Sequence, residues 1–463
     1  MKKHRYPGNR LRTKYLLITI LVLRSLAGAW PAPAKGILSL NGVAEEYVRL
    51  ALLVGAYAPG YIDAYYGPGE WKIKNEEDLR RGGFQAVGVR KRAESVLREL
   101  NILAGRNLSA LDTLRLEFLK KQMIALKAEI DALSGIKFTF DQESQLFYDA
   151  VSPARRREEF EKKVALLEAA LPGEGSLQER VAAFKNEFII PAAKLPAVFE
   201  AAIAECRRRT LAHIALPANE SFKAAYVQDK PWGAYNWYKG NAYSLIEVNT
   251  DLPMQIDSAV RIAAHEGYPG HHVYNVLLEQ KLAKEKGWSE FTVYPLFSPQ
   301  SLIAEGTANY GIELIFPGDE KLQFEIDKLY PLAGIDPQKA GKLAQVQKLV
   351  DELRYAENEA ARGYLDGAIS REEALDWLAR FSLESPERAA KTIDFWNAYR
   401  SYIINYNLGQ DIVRAFVEKT AGMDSSLDGN GRPLGGLEAK WRVFIDILST
   451  PRTPSGLQQF KEK

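Results

Sequence analysis

The sequence has few cysteines and no long apolar run near its start. The first shortage excludes a fold stabilised by disulfides, and the second excludes a membrane-spanning segment there. Cys206 is the only cysteine in 463 residues, so no disulfide can form within the chain. The apolar run Tyr15–Leu23 ends at Arg24, far short of the ~20 residues that span a bilayer. With 46% hydrophobic and 26% charged residues, the chain is predicted to be stabilised by a large packed core.

Residues 1–34 differ in composition from the rest of the chain. They contain seven Lys and Arg but no Asp or Glu, then the apolar run, then small residues that end at Ala34. This order is typical of a secretory signal peptide. We therefore predict a signal peptide over residues 1–34 and export to the periplasm or the extracellular space. Residues 35–463 are predicted to form a single catalytic domain, for which two helical lobes around a cleft are one arrangement.

The positive charge of the sequence belongs to this leader. Without it the chain has 54 basic and 59 acidic residues, a net charge of −5. Because nucleic-acid binding depends on concentrated positive charge, we expect no nucleic-acid partner. The short apolar run likewise predicts no stable membrane anchor.

Helical periodicity dominates the chain, and it is interrupted once. One helical face is marked by apolar residues at alternating steps of three and four: Leu116, Leu119, Met123, Leu126, Ile130 and Leu133. Trp232–Tyr238 and Tyr243–Thr250 are instead aromatic and β-branched, as in a hairpin. We predict a mainly α fold with a small antiparallel sheet beside the site. The strand Tyr243–Asn249 either binds an extended peptide by strand addition or covers the core.

Asp251 and Pro253 are typical of a helix start, and the predicted helix leads into the most informative segment. Three of the five histidines lie within eight residues: His265, His271 and His272. His-Glu at a helix end opens the zinc motif H-E-x-x-H, in which the two histidines share one helical face.

The second histidine of that motif is replaced by Pro269, which cannot bind a metal. On an ideal helix His271 would be rotated by about 120° from His265. Proline interrupts the hydrogen bonds of a helix and Gly270 accepts unusual dihedral angles, so a distorted turn can return His271 to the face of His265. His272 is the alternative ligand, although an unbroken helix would place it roughly 10 Å from His265.

A third ligand is predicted on the next helix. Ser298-Pro299 is typical of a helix start and predicts a helix over Ser301–Ile315. Glu305 lies one turn into it and completes a His, His, Glu set that leaves one position open for water, the usual catalytic zinc arrangement. Asn309, one turn further, can orient a ligand. We predict one Zn²⁺ ion bound by His265, His271 and Glu305.

The remaining candidates concern catalysis. Glu266 is predicted to take a proton from a zinc-activated water as that water attacks a carbonyl, and to pass it to the leaving amine. His272 is interpreted as a hydrogen-bond donor that supports the metal ligands or as a contact to the substrate oxyanion, and Tyr406 as an oxyanion contact or a core aromatic.

Several motifs resemble those of one bacterial family, known as domain of unknown function 885. Its motif H-E-x-x-P-G-H-H is complete from His265 to His272, and E-G-x-A-x-Y is matched from Glu305 to Tyr310. The family's R-x-Y-x-x-x-Y-x-x-G pattern is similar to Arg400–Gly409, and its opening segment resembles Gly60–Pro68. Thr307 stands where many members have tryptophan.

The resemblance implies a largely helical, gluzincin-like metallopeptidase fold, and it names no substrate. Together with the motif it predicts an exported zinc-dependent hydrolase whose substrate is a peptide or a small amide. Two alternatives remain open. One is a zinc amidase or esterase acting on non-peptide or cell-wall substrates, and the other is a non-catalytic zinc-binding protein with a closed site.

Overall fold

The computed structural model describes residues 39–73, 76–230, 232–251, 253–423 and 436–459, which all belong to one compact unit over residues 38–463. The predicted signal peptide lies outside the described residues. The predicted mainly α class is confirmed. The helices are α1 (Leu40–Tyr57), α2 (Glu76–Arg81), α3 (Ala86–Ala104), α4 (Ala110–Leu133), α5 (Phe140–Tyr148), α6 (Arg157–Ala170), α7 (Leu177–Asn186), α8 (Leu195–Leu211), α9 (Ile256–Ile262), α10 (His271–Leu278), α11 (Pro299–Ile315), α12 (Glu320–Phe324), α13 (Tyr330–Ala333), α14 (Ala340–Asp351), α15 (Ala356–Leu365), α16 (Arg371–Trp377), α17 (Pro386–Tyr399), α18 (Ile404–Met423), α19 (Gly436–Ser449) and α20 (Pro454–Gln458).

The strands form two small sheets. They are β1 (Ile62–Tyr65), β2 (Ser221–Val227), β3 (Ala234–Gly240), β4 (Tyr243–Asn249) and β5 (Val293–Pro295). The antiparallel hairpin predicted from the aromatic segments is confirmed as β3–β4. The sequence did not predict β2, which pairs parallel to β4 and gives the strand order β2-β4-β3, or the antiparallel pair of β1 and β5.

Local sequence signals account for most helix boundaries near the site. The apolar periodicity predicted α4, whose N-cap Ser109 accepts a hydrogen bond from the backbone N–H of Asp112. Ser298-Pro299 starts α11 as predicted. The helix expected from Asp251 begins later, at Ile256, because the Asp251 carboxylate instead accepts hydrogen bonds from the backbone N–H of Asp229 at 3.0 and 3.1 Å.

Helices α11 and α18 pack backbone to backbone, and two glycines allow it. A Cβ atom added to Gly306 would lie 2.4 Å from the carbonyl oxygen of Gly409, closer than real contacts allow. Gly409 in turn lies against the backbone of Leu302. The approach sets the carboxylate of Glu305 beside Tyr402, which lies just before α18, and near Tyr406 in its first turn. In the described part of the chain, no helix is both long and apolar enough to cross a membrane.

Candidate metal centre

The distorted turn predicted between the two histidines is present. A π-helical turn, Ala263–Gly267, follows α9 and carries His265, and α10 begins at His271. The backbone N–H of Gly270 reaches the carbonyl of Ala264 at 3.0 Å. A Cβ on Gly270 would lie 1.9 Å from the carbonyl oxygen of His265, so only glycine fits there. The turn brings the His265 and His271 rings to a centroid distance of 4.6 Å, as predicted.

Glu305 reaches the two imidazoles from α11. Its Oε2 atom lies 3.2 Å from Nε2 of His265 and 3.6 Å from Nε2 of His271. Ligand atoms of the three residues lie within 4.8 Å of one another. Burial opposes ionisation of Glu305, but when the two imidazoles are protonated in the metal-free protein, their charge outweighs it and holds the pKa of Glu305 well below its usual range. The predicted ligand set is therefore assembled in space.

The donor atoms of this cluster fit a divalent metal ion. Oε2 of Glu305 is buried and has no hydrogen-bond partner, while its Oε1 accepts a hydrogen bond from the hydroxyl of Tyr402 at 2.9 Å. A buried carboxylate oxygen without a partner is costly unless a cation binds it. Two imidazoles and one carboxylate are the donor set of many catalytic zinc sites.

Asn309 orients His265 as the sequence predicted. Its amide nitrogen donates to the carbonyl oxygen of Tyr406 at 2.9 Å, which leaves its Oδ1 as an acceptor. Oδ1 lies 2.9 Å from Nδ1 of His265, so Nδ1 carries the proton. The Nε2 lone pair of His265 therefore faces Glu305 and is free for a metal.

Glu266 lies buried in the wall of the same cleft. The Asn236 side chain on β3 donates to the carbonyl oxygen of Glu266 at 2.6 Å and fixes the backbone there. Burial raises the pKa of Glu266 to about 7, with Glu305 and Asp63 adding to the rise and His265 opposing it. A carboxyl group with this pKa can exchange a proton near neutral pH.

Tyr406 and three residues that were not predicted to act at the site also line this cleft. Tyr406 is half-buried between Tyr402 and the acidic residues of the site. Asp63 on β1 accepts a hydrogen bond from the hydroxyl of Tyr235 on β3. Burial raises the pKa of Asp63 to about 6, against the effect of the Tyr235 hydrogen bond. Tyr402 and Asp63 lie in segments that carry the family resemblance, which is the one sequence signal that singles them out.

His272 does not reach the cleft, so its predicted contact with a substrate oxyanion is wrong. The ring is fully buried: Nδ1 lies 2.8 Å from the hydroxyl oxygen of Ser244 and Nε2 lies 2.9 Å from Oε1 of Glu220. Both ring nitrogens thus contact residues that do not line the cleft. For the same reason His272 is not the second metal ligand.

The cleft has a volume of about 1560 Å³, and β3 forms part of its wall. Residues 233–236 of the chain line it together with the metal cluster. Strand β4 lies between β2 and β3, so both of its edges are paired and the proposed addition of a peptide strand to Tyr243–Asn249 is wrong. In this sheet β3 is the edge strand on the cleft side.

Comparisons with known proteins support the fold. No family model matches the sequence, and no curated protein matches it either, so the resemblance to domain of unknown function 885 depends on the motifs alone. A crystal structure of a protein from Colwellia psychrerythraea, provisionally described as a lipoprotein, is similar with a TM-score of 0.50 at 15% identity, over 92% of this chain and 76% of that one.

A second solved structure, the M32 carboxypeptidase from Deinococcus radiodurans R1, is similar with a TM-score of 0.42 at 12% identity. That comparison covers 90% of this chain and 96% of the carboxypeptidase. At 15% identity the likeness to the Colwellia psychrerythraea protein concerns the fold alone, and the chemistry of this chain follows from its own residues.

Proposed function

We propose that this chain is a zinc-dependent hydrolase that cleaves amide bonds, with peptides as its substrate class. One observation carries the proposal. Two imidazoles converge on a buried carboxylate oxygen that has no hydrogen-bond partner, and Glu266 lies in the wall of the same cleft. A structural metal site has no use for a second buried carboxyl group beside its ligands, whereas hydrolysis needs one as a base.

Zinc bound by His265, His271 and Glu305 would supply a Lewis acid and an activated water. Glu266 follows the first ligand directly in sequence and accepts the proton of the attacking water. It then donates this proton to the leaving amine. Tyr406 donates a hydrogen bond to the oxygen of the attacked carbonyl, and Asn309 keeps the His265 ring in the required tautomer.

The shape of the cleft supports a peptide as the substrate. Its volume of about 1560 Å³ exceeds the ~300–1,000 Å³ typical of small-ligand pockets. Among the described residues β3 has one strand partner, β4, and residues 233–236 line the cleft, so an extended peptide can add to this edge strand through backbone hydrogen bonds. Both basic and acidic side chains line the cleft, including Arg354 with Asp411 and Arg414 with Glu313, which does not favour a polyanion.

Metal analysis joined to a peptide digest tests the proposal. We expect purified full-length protein to contain one zinc per chain and to cleave members of a mixed peptide library. A chelator should stop cleavage and added zinc should restore it. The library should be accompanied by N-acyl amino acids and cell-wall stem peptides, since the same site could act on their amide bonds. Absence of stoichiometric metal, or cleavage that persists without it, would refute the proposal.

We also propose that the protein is exported, on the composition of residues 1–34. Expression of the full chain in a bacterium should yield a mature protein beginning at Lys35 in the periplasm or medium. Mass spectrometry of the intact protein measures this, and a full-length chain retained in the cytoplasm would refute it.

A further inference from the structure

His272 belongs to a closed network of polar side chains behind the metal cluster. Its two ring nitrogens contact Ser244 on β4 at 2.8 Å and Glu220, which precedes β2, at 2.9 Å. Ser244 and His272 are both fully buried, and Glu220 is 7% exposed. A serine, a histidine and a glutamate in this order resemble a nucleophilic triad, but no substrate can reach a fully buried serine. The network must act in another way.

One carboxylate in this network holds both ends of the turn that carries His271. Oε1 of Glu220 accepts hydrogen bonds from the hydroxyl of Tyr268, at the start of the turn, and from His272, at its end. The Tyr268 and His272 rings also contact each other edge to face at 5.5 Å. The segment between them, Pro269 to His271, is thus closed by Glu220 into a short loop.

The sheet and helix α8 fix this carboxylate in turn. Arg207 of α8 forms an ion pair with Oε2 of Glu220 at 3.2 Å. Phe222 on β2 packs against Tyr268 and His272 with ring centroids 5.2 and 5.4 Å apart, respectively. The turn is therefore anchored to elements on the side opposite to the cleft.

The two metal-binding histidines are positioned by different means. The ring of His265 is oriented directly by Asn309. His271 lies at the first position of α10, immediately after a break in the helical hydrogen bonds, so its position depends on the conformation of the turn before it. An error of about 1 Å there would be enough to lose a shared ion.

We propose that Glu220, Tyr268 and His272 are positioning residues: they clamp the turn Tyr268–His272 and so place the His271 imidazole where it shares one metal ion with His265 and Glu305. This inference depends on the metal site of the proposed function. It assigns a role to the last histidine of the motif without giving it any contact with metal or substrate.

Metal binding by two variants tests the clamp. His272→Gln keeps a polar side chain but changes its reach, and Tyr268→Phe removes only the hydroxyl that Glu220 binds. For the full-length protein we expect zinc affinity, measured by competition with a chromophoric chelator, to fall about 10–100-fold in His272→Gln and less in Tyr268→Phe. The visible absorption of the cobalt-substituted protein should change as well, because ligand geometry determines it.

His213→Gln is the matched control. This histidine stacks on Trp441 at 4.4 Å, is not part of the cleft lining, and should leave zinc affinity and the cobalt spectrum unchanged. Thermal unfolding of the metal-free variants separates the clamp from a purely structural role. Lower thermal stability with unchanged affinity and spectrum would overturn the clamp, as would wild-type behaviour of both variants.

The proposed function can fail separately. If the wild-type protein binds neither zinc nor cobalt at a defined stoichiometry, the metal site itself is refuted and the clamp with it. If the wild type binds one ion and the two variants bind it equally well with the same spectrum, only the clamp is refuted. Should His272→Gln fail to fold, the spectrum and affinity of Tyr268→Phe decide the question.

Discussion

Two carboxylate–histidine clusters lie on opposite sides of one turn, and they differ in how their polar atoms are satisfied. In the cleft, Glu305 faces His265 and His271, and its Oε2 has no hydrogen-bond partner. Behind the turn, Glu220 faces His272, and both of its oxygens are bonded. His271 and His272 are neighbours in sequence, yet only the first lines the cleft.

The difference distinguishes a cluster suited to binding a ligand from a cluster that stabilises the turn. A satisfied buried network stabilises one conformation, whereas an unsatisfied buried group is retained against its cost and points to a missing ligand. The pKa values do not show this difference, because the pKa of Glu305 and that of Glu220 are both lowered, each by its own partners. Burial opposes ionisation of Glu220, but hydrogen bonds from His272 and Tyr268 lower the pKa of Glu220 below its ordinary value. The predictions below ask whether the two clusters are as distinct as their contacts indicate.

The largest effect is expected from Glu266→Gln, which removes the proposed base of the cleft cluster and nothing behind the turn. Peptide cleavage should fall about 1,000-fold, equivalent to about 4 kcal/mol in the activation free energy, while zinc content stays at the wild-type level. Turnover numbers and metal analysis of the same preparation measure both. Glu313→Gln, on the cleft rim beside Arg414, is the control and should retain activity. A fully active Glu266→Gln enzyme would show that another group is the base.

The same substitution made in each cluster compares them directly. Glu305→Gln removes the anionic metal donor, so zinc affinity should fall by at least about 100-fold. Glu220→Gln preserves the shape of the second carboxylate and should lower affinity by about 10-fold, since it acts only through the turn. Competition with a chelator measures both values. Equal losses would mean that the clusters are not functionally distinct.

The parts of this site that were predicted from the sequence are local. His265, His271 and the distorted turn lie within seven residues, and the chemistry of proline and glycine sufficed to expect the return of the second ring. The helix of Glu305 was marked by Ser298-Pro299, and the hairpin by its aromatic and β-branched residues. The mainly α fold was also predicted from local spacing, because apolar residues that recur at the helical period of 3.6 residues indicate a helix with one buried face.

The parts that were missed depend on contacts between distant segments. Tyr402 binds Glu305 across 97 residues, Tyr235 binds Asp63 across 172, and Glu220 binds His272 across 52. No local pattern encodes such pairs. The oxyanion contact considered for His272 failed for the same reason: its sequence position beside a metal ligand gave no indication of the direction in which its ring points. Strand β2 was missed because it pairs in parallel with β4 and β3 lies between the two in sequence. No hairpin turn therefore marks the pair.

The cleft cluster should depend on close packing of α11 against α18. Gly306→Ala places a methyl group 2.4 Å from the carbonyl oxygen of Gly409, and separation of the helices should lower the free energy of unfolding by about 2–3 kcal/mol. Denaturant titration measures this. Gly341→Ala in α14 is the matched control, because no atom lies within 4 Å of the added carbon. An unchanged free energy of unfolding in Gly306→Ala would show that the helix contact is looser than described.

A buried carboxyl group outside both clusters, on α4, extends the comparison to pH. Burial, helped by the nearby carboxylate of Glu143, raises the pKa of Glu129 to about 7 from 4.5. Because the folded state holds this proton more tightly than the unfolded state, the resulting stabilisation is complete below pH 4.5 and is lost as the pH rises through about 7.

Replacing Glu129 with glutamine should therefore remove this pH dependence. Between pH 5 and pH 8 the free energy of unfolding of the variant should fall by about 1–2 kcal/mol less than that of the wild type. Denaturant titrations of the metal-free protein at both pH values measure the difference. Glu117, whose side chain is 46% exposed on the same helix, offers the control substitution Glu117→Gln, which should keep the wild-type dependence. If Glu129→Gln also keeps it, another group causes the pH dependence, and burial of Glu129 does not oppose its ionisation in the folded protein.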